Sequence, residues 1–225
     1  ADVERNQPWQ ADTRLVVFSV TKGFAAMALH LLADRGVFSW DEPVASYWPG
    51  FARGGKSRVT VRCLVNHRAG LAALDHKLQL EDCLDDARWP SVVEALEAQR
   101  PLWQPGEGQG YHAVTFGLYV KELFHRLSGV SIGEFLRREL FEPVESDALL
   151  GTPASEDERV ATLYAPENST RLKQLVKALI LAPNSNEARV GRAFLGRKSL
   201  VRAAFGNPAM GARGLMAYND VPVRR

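Results

Sequence analysis

Apolar side chains recur at three- and four-residue steps through Phe24, Met27, Ala28, Leu31 and Leu32, which predicts a buried helix over Thr21–Asp34 ending near Gly36. The run before it, Leu15-Val16-Val17-Phe18, is β-branched and aromatic and predicts the end of a buried strand. Trp40–Phe51 (WDEPVASYWPGF) reads as a packed loop with a short helix. Thr60 is placed as the N-cap of a helix through Asn66, which stops at Arg68-Ala69-Gly70-Leu71. Further helices are expected over Ser91–Gln99, Val114–Leu127, Ser131–Leu140 and Thr170–Ala182. The second has its apolar stripe at Phe116, Tyr119, Val120, Leu123, Phe124 and Leu127. Helices dominate, and strands are scarce.

Composition narrows the function. Of 225 residues, 46% are hydrophobic and 24% charged, an ordinary balance for a globular chain. The net charge of 28 − 26 = +2 is too small to draw a nucleic acid or an anionic membrane by long-range attraction. The longest apolar-dominated run, Phe24–Ala33, is half a membrane span and contains His30, so no membrane span is expected. Cys63 and Cys83 cannot make a disulfide framework, and this usage leans towards a reducing, cytoplasmic compartment.

Three patterns are decoys. Gly129-Val-Ser131-Ile-Gly133 fits the G-x-S-x-G elbow, but a helix precedes it, and Ser131 with Glu134 makes a capping box. Gly106-x-Gly-x-Gly110 follows no strand, so it reads as loop glycine and not as a dinucleotide cradle. Cys63, His67, His76 and Cys83 match no common ligand spacing, so no metal is expected. No organic cofactor is expected either.

The chemistry that stands out is Ser19-Val-Thr-Lys22 at a strand-to-helix junction. Residues three apart on a helix share a face, so the Lys22 amine can approach the Ser19 hydroxyl. That hydroxyl would sit at a helix N-terminus, where free N–H groups favour developing negative charge. A serine attacks only when a base takes its proton, and a desolvated lysine can supply that base. Lowering a lysine ammonium from about 10.4 to 7 takes about 4.6 kcal/mol, which burial and a neighbouring cation or phenol would have to provide. An S-x-x-K match alone is equally what chance produces, so a third group is needed. Tyr111, in a glycine-flanked loop before a long helix, can project into a cleft and relay a proton.

Ser19-Val-Thr-Lys22 with Gly23-Phe24, Asp41–Pro49 (DEPVASYWP), Leu64–Leu71 (LVNHRAGL) and Pro105-Gly106 leading to Tyr111-His112-Ala113 occur in this order. Together they resemble the serine β-lactamase-related family, which includes class C β-lactamases, D-alanyl-D-alanine peptidases and esterases of the same fold. The resemblance implies an α/β (α+β) β-lactamase/transpeptidase-like fold, of which this chain covers mainly the helical region and little of the antiparallel sheet. It implies a single domain over 1–225, incomplete at both ends: an N-terminal strand pair and the strand bearing a third motif and the second oxyanion donor would lie outside. It also implies that Ser19 is the acylated nucleophile, that Lys22 and Tyr111 share the acid–base work, and that His67 and Gly70-Leu71 are structural. His112 could touch substrate or only pack its loop.

One departure from the family pattern tilts the expected activity. Ala113 stands where β-lactamases carry the asparagine of Tyr-x-Asn and cannot offer amide hydrogen bonds to a β-lactam side chain. The expected activity is therefore hydrolysis of small carboxylic esters through an acyl-enzyme, with a small-molecule ester or amide as substrate and the oligomeric state left open. The alternatives are a β-lactamase or D-alanyl-D-alanine peptidase, and a non-catalytic family member or assembly module.

Overall fold

The structure, a computed structural model, describes residues 1–165, 173, 176, 177, 180, 182–196, 199–208 and 211–224. Its spine is two helices of fourteen residues each, α1 (Thr21–Asp34) and α5 (Thr115–Ser128), packed against one another. Between them in sequence come α2 (Val61–Val65), α3 (Leu80–Leu84) and α4 (Trp89–Ala98). After them come α6 (Ile132–Leu136), which runs on as a π-turn over Arg137–Phe141, α7 (Asn186–Leu195), α8 (Leu200–Phe205) and α9 (Val221–Arg224).

Most of the periodic apolar positions found partners, while Met27 of the α1 stripe stays 45% exposed. Ala28 and Leu29 of α1, Val92 and Leu96 of α4, and Tyr119, Leu123 and Phe124 of α5 are fully enclosed in one core with Trp48 and Phe51. Each fully buried leucine is worth about 1.5–3 kcal/mol against an exposed one. Trp48 and Phe51 come from the expected packed loop, which holds short 3₁₀ turns at Val44–Ser46 and Pro49–Gly55. Local punctuation behaves as the residue types dictate. Gly36 and Gly129 end α1 and α5 at φ +72° and +74°, a region that costs glycine little. Thr60 Oγ1 accepts the Cys63 amide at 3.1 Å, and Ser131 Oγ accepts that of Glu134 at 3.1 Å, so Ser131 is a helix cap.

The strand expected at Leu15–Phe18 did not form. Arg14 makes a single parallel bridge with Val160, while Leu15 and Val17 are 54% and 47% exposed. Strand propensity needs a partner strand to act on, and only isolated bridges occur among the described residues. Ion pairs anchor the residue before it instead, from the Arg14 guanidinium to Asp147 and to Glu156, the latter at 2.7 Å. The helix expected over Thr170–Ala182 lies largely outside the described residues. No helix among the described residues is long and apolar enough to cross a membrane.

Candidate active site

Ser19 is exposed and sits in a one-turn 3₁₀ helix, Phe18–Val20, that feeds without a break into α1. Phe18 enters this turn at φ +48°, an outlier for a bulky residue and a mark of local strain just before the hydroxyl. Lys22 lies in the first turn of α1, one helical step on. Its Nζ is 3.1 Å from Ser19 Oγ and donates to the main-chain oxygen of Ala113 at 2.8 Å. The same amine stands 5.1 Å from the centroid of the Tyr111 ring and 5.7 Å from that of Phe116. One amine therefore touches the serine, the loop that follows the tyrosine, and the tyrosine ring itself.

Tyr111 is 43% exposed, with its ring edge-on to His67 at 5.0 Å and near Phe205 at 6.3 Å. The glycines before it are glycines for a steric reason. A Cβ on Gly108 would lie 2.9 Å from Trp103 Cδ1, and one on Gly110 would lie 2.5 Å from its Cη2. The loop lies flat on an indole, and alternate glycines after a tryptophan were its signature in the sequence.

His112 points inward. It is completely buried, its amide donates to His67 Nδ1 at 3.3 Å, and its Nε2 accepts the Leu71 amide at 3.2 Å. Burial, helped by the nearby His67, pushes its pKa down to about 4, so the ring is neutral with its proton on Nδ1. A side chain so enclosed packs against the loop on the side of Leu71. His67 is shifted downwards as well, first by burial and then by the Lys22 charge.

Other chemistry is scattered. Cys63 and Cys83 are separate free thiols that burial makes poorer acids, Cys83 reaching about 11. An open hollow of about 640 Å³ beside Met27, His30, Trp40 and Leu140 lies two turns and more along α1 from Ser19, and it contains none of the groups above.

Known proteins share this arrangement of helices. The chain is 40% identical over 163 residues to the esterase/β-lactamase LipL of Mycobacterium tuberculosis, covering 72% of this chain and 37% of that protein. The crystal structure of a family VIII carboxylesterase superposes with a TM-score of 0.68 at 35% identity, covering 90% of this chain and 52% of that one. A penicillin-binding protein homologue from Caulobacter crescentus superposes with a TM-score of 0.67 at 32% identity, over 83% and 50% respectively. The chain thus spans about half or less of these relatives, and the described residues correspond to the helical region of a β-lactamase/transpeptidase-like fold. A β-lactamase family model matches residues 1–214, and the chain belongs to that family.

Proposed function

We propose that this chain carries the nucleophile and the proton-transfer groups of a serine hydrolase acting on small carboxylic esters. The observation that carries the reading is the 3.1 Å separation of Ser19 Oγ from Lys22 Nζ at the start of α1, with Tyr111 against the same amine. Ser19 Oγ attacks the ester carbonyl while its proton passes to the Lys22–Tyr111 pair. The carbonyl oxygen becomes an oxyanion, and the Ser19 amide is one donor to it. Collapse expels the alcohol, which takes the proton from the same pair. Water then attacks the acyl carbonyl and gives its proton to the pair; the bond from Ser19 Oγ breaks, the carboxylic acid leaves, and Ser19 takes the proton back.

The pairing also accounts for why Lys22 sits where it does. Ala113 O fixes the amine from one side and leaves it facing Ser19 Oγ. The methyl of Ala113 favours plain esters over β-lactams, in line with the resemblance to a carboxylesterase. A β-lactamase or D-alanyl-D-alanine peptidase is the second reading, because the penicillin-binding protein homologue superposes almost as well. Turnover of nitrocefin at least matching that of p-nitrophenyl butyrate would decide for it.

Labelling of the full-length protein by a fluorophosphonate probe tests the nucleophile. Wild type is expected to label and Ser19→Ala to stay blank. Equal labelling of the two would remove Ser19. A blank wild type that also leaves p-nitrophenyl butyrate intact would mark a non-catalytic family member.

A further inference from the structure

The loop that carries Tyr111 takes its shape from another part of the chain. It is laid along His67–Leu71, the segment that closes α2. The Leu102 amide donates to Gly70 O at 2.8 Å, that of Gly106 to Arg68 O at 3.0 Å, and that of Gly110 to His67 O at 3.1 Å. The Arg68 guanidinium returns a bond to Gly106 O, and Thr115 Oγ1 donates to Leu71 O at 2.6 Å.

Two of the bonds flank the tyrosine, and both end on His67. Its backbone oxygen takes the amide of Gly110, and its Nδ1 takes the amide of His112. Its ring also meets the Tyr111 ring edge-on, with Phe116 on another side at 5.4 Å. His67 reaches all of these from φ +66°, which turns its oxygen and its ring towards the same loop. His112 continues the chain of bonds by accepting from Leu71.

We infer that His67 is a positioning residue for Tyr111: it grips the backbone on both sides of the phenol and braces the ring against the Lys22 amine. An apolar side chain could brace the ring, but only an acceptor at the Nδ1 position can take the His112 amide, a buried donor that would otherwise be unpaired. Displacing a proton-transfer group by an ångström can cost about a hundredfold in rate. The inference rests on the reading of Tyr111 as a proton-transfer group, while the grip itself can be tested without it.

The experiment compares His67→Gly and His67→Asn in the full-length protein. Glycine keeps the positive φ and the backbone oxygen but removes ring and acceptor. Asparagine tolerates the same φ and restores a short acceptor. His67→Gly should lower kcat for p-nitrophenyl butyrate about tenfold or more, with KM within about threefold, and His67→Asn should recover most of the loss. In a Tyr111→Phe background His67→Gly should cost about twofold or less, because the phenol it positions is already gone. The His112 amide should exchange with deuterium about tenfold faster in His67→Gly, while the Leu123 amide keeps its protection.

An equal kcat loss with and without the Tyr111 hydroxyl would overturn the inference, as would a loss confined to KM or an unchanged His112 exchange rate. Absence of ester hydrolysis in wild type would sink the esterase reading alone. The exchange of the His112 amide would then decide the grip by itself.

Discussion

The amine of Lys22 is held more closely by the main-chain oxygen of Ala113, at 2.8 Å, than by the hydroxyl of Ser19, at 3.1 Å. A backbone atom thus anchors the amine, and the side chain at position 113 is free to vary without loosening it. Ala113→Asn should therefore leave hydrolysis of p-nitrophenyl butyrate within about tenfold of wild type. The new amide should raise kcat/KM for nitrocefin by about tenfold, the scale of one hydrogen bond of about 1.4 kcal/mol. Paired kinetics on the two substrates check this, and a fall in both would mean that the amide displaces Lys22 instead.

Lys22 and Tyr111 are expected to act as a unit. Lys22→Ala and Tyr111→Phe in the full-length protein should each lower kcat/KM for esters by about two orders of magnitude or more, the usual range for a general acid–base group. The double variant should lose little beyond the worse single one. Steady-state kinetics decide it: either single variant within tenfold of wild type would leave that residue outside the mechanism.

What could be read in the sequence was whatever depends on neighbours along the chain. α1 and α5 were legible because their apolar spacing and the glycines that end them are local signals, and so were the Thr60 and Ser131 caps. The Ser19–Lys22 contact was legible because it is one helical step. The strand at Leu15–Phe18 was misread because a strand exists only with a partner, and an apolar run does not say whether one is adjacent. The grip of His67 on the Tyr111 loop was hidden for a related reason. Its partners are backbone amides some forty residues away, and backbone groups leave no mark in the side-chain pattern. The inward turn of His112 was hidden in the same way.

Lys56 is the clearest case of a residue whose type misleads. Lysine is the residue least expected inside a protein, yet Lys56 is fully enclosed, and its ammonium donates to Arg53 O at 2.8 Å, Glu97 O at 2.6 Å and Gln99 O at 2.5 Å. Two of these carbonyls lie at the C-terminal end of α4, where a helix leaves its oxygens unpaired. Lys56→Met fits the same volume but strands all three acceptors. It should destabilise the fold by about 3 kcal/mol or more, read as a lower urea midpoint with an unchanged slope. A variant as stable as wild type would show that water replaces the ammonium.

The buried histidine ties stability to pH with a definite sign. His112 is held near a pKa of about 4 by burial, below its ordinary 6.5, so between those values the unfolded chain binds a proton that the folded chain does not. Stability from this group is complete above the unfolded value and is lost as pH falls through 6.5 towards 4. At pH 5 the loss amounts to about 2 kcal/mol. His67, shifted the same way, adds to the trend. His112→Asn keeps a neutral acceptor for the Leu71 amide but cannot titrate. Its unfolding free energy, measured by urea titration at pH 7.5 and pH 5, should therefore fall by about 2 kcal/mol less than that of wild type over the same interval. Parallel losses in the two proteins would place the acid sensitivity elsewhere and leave His112 as packing alone.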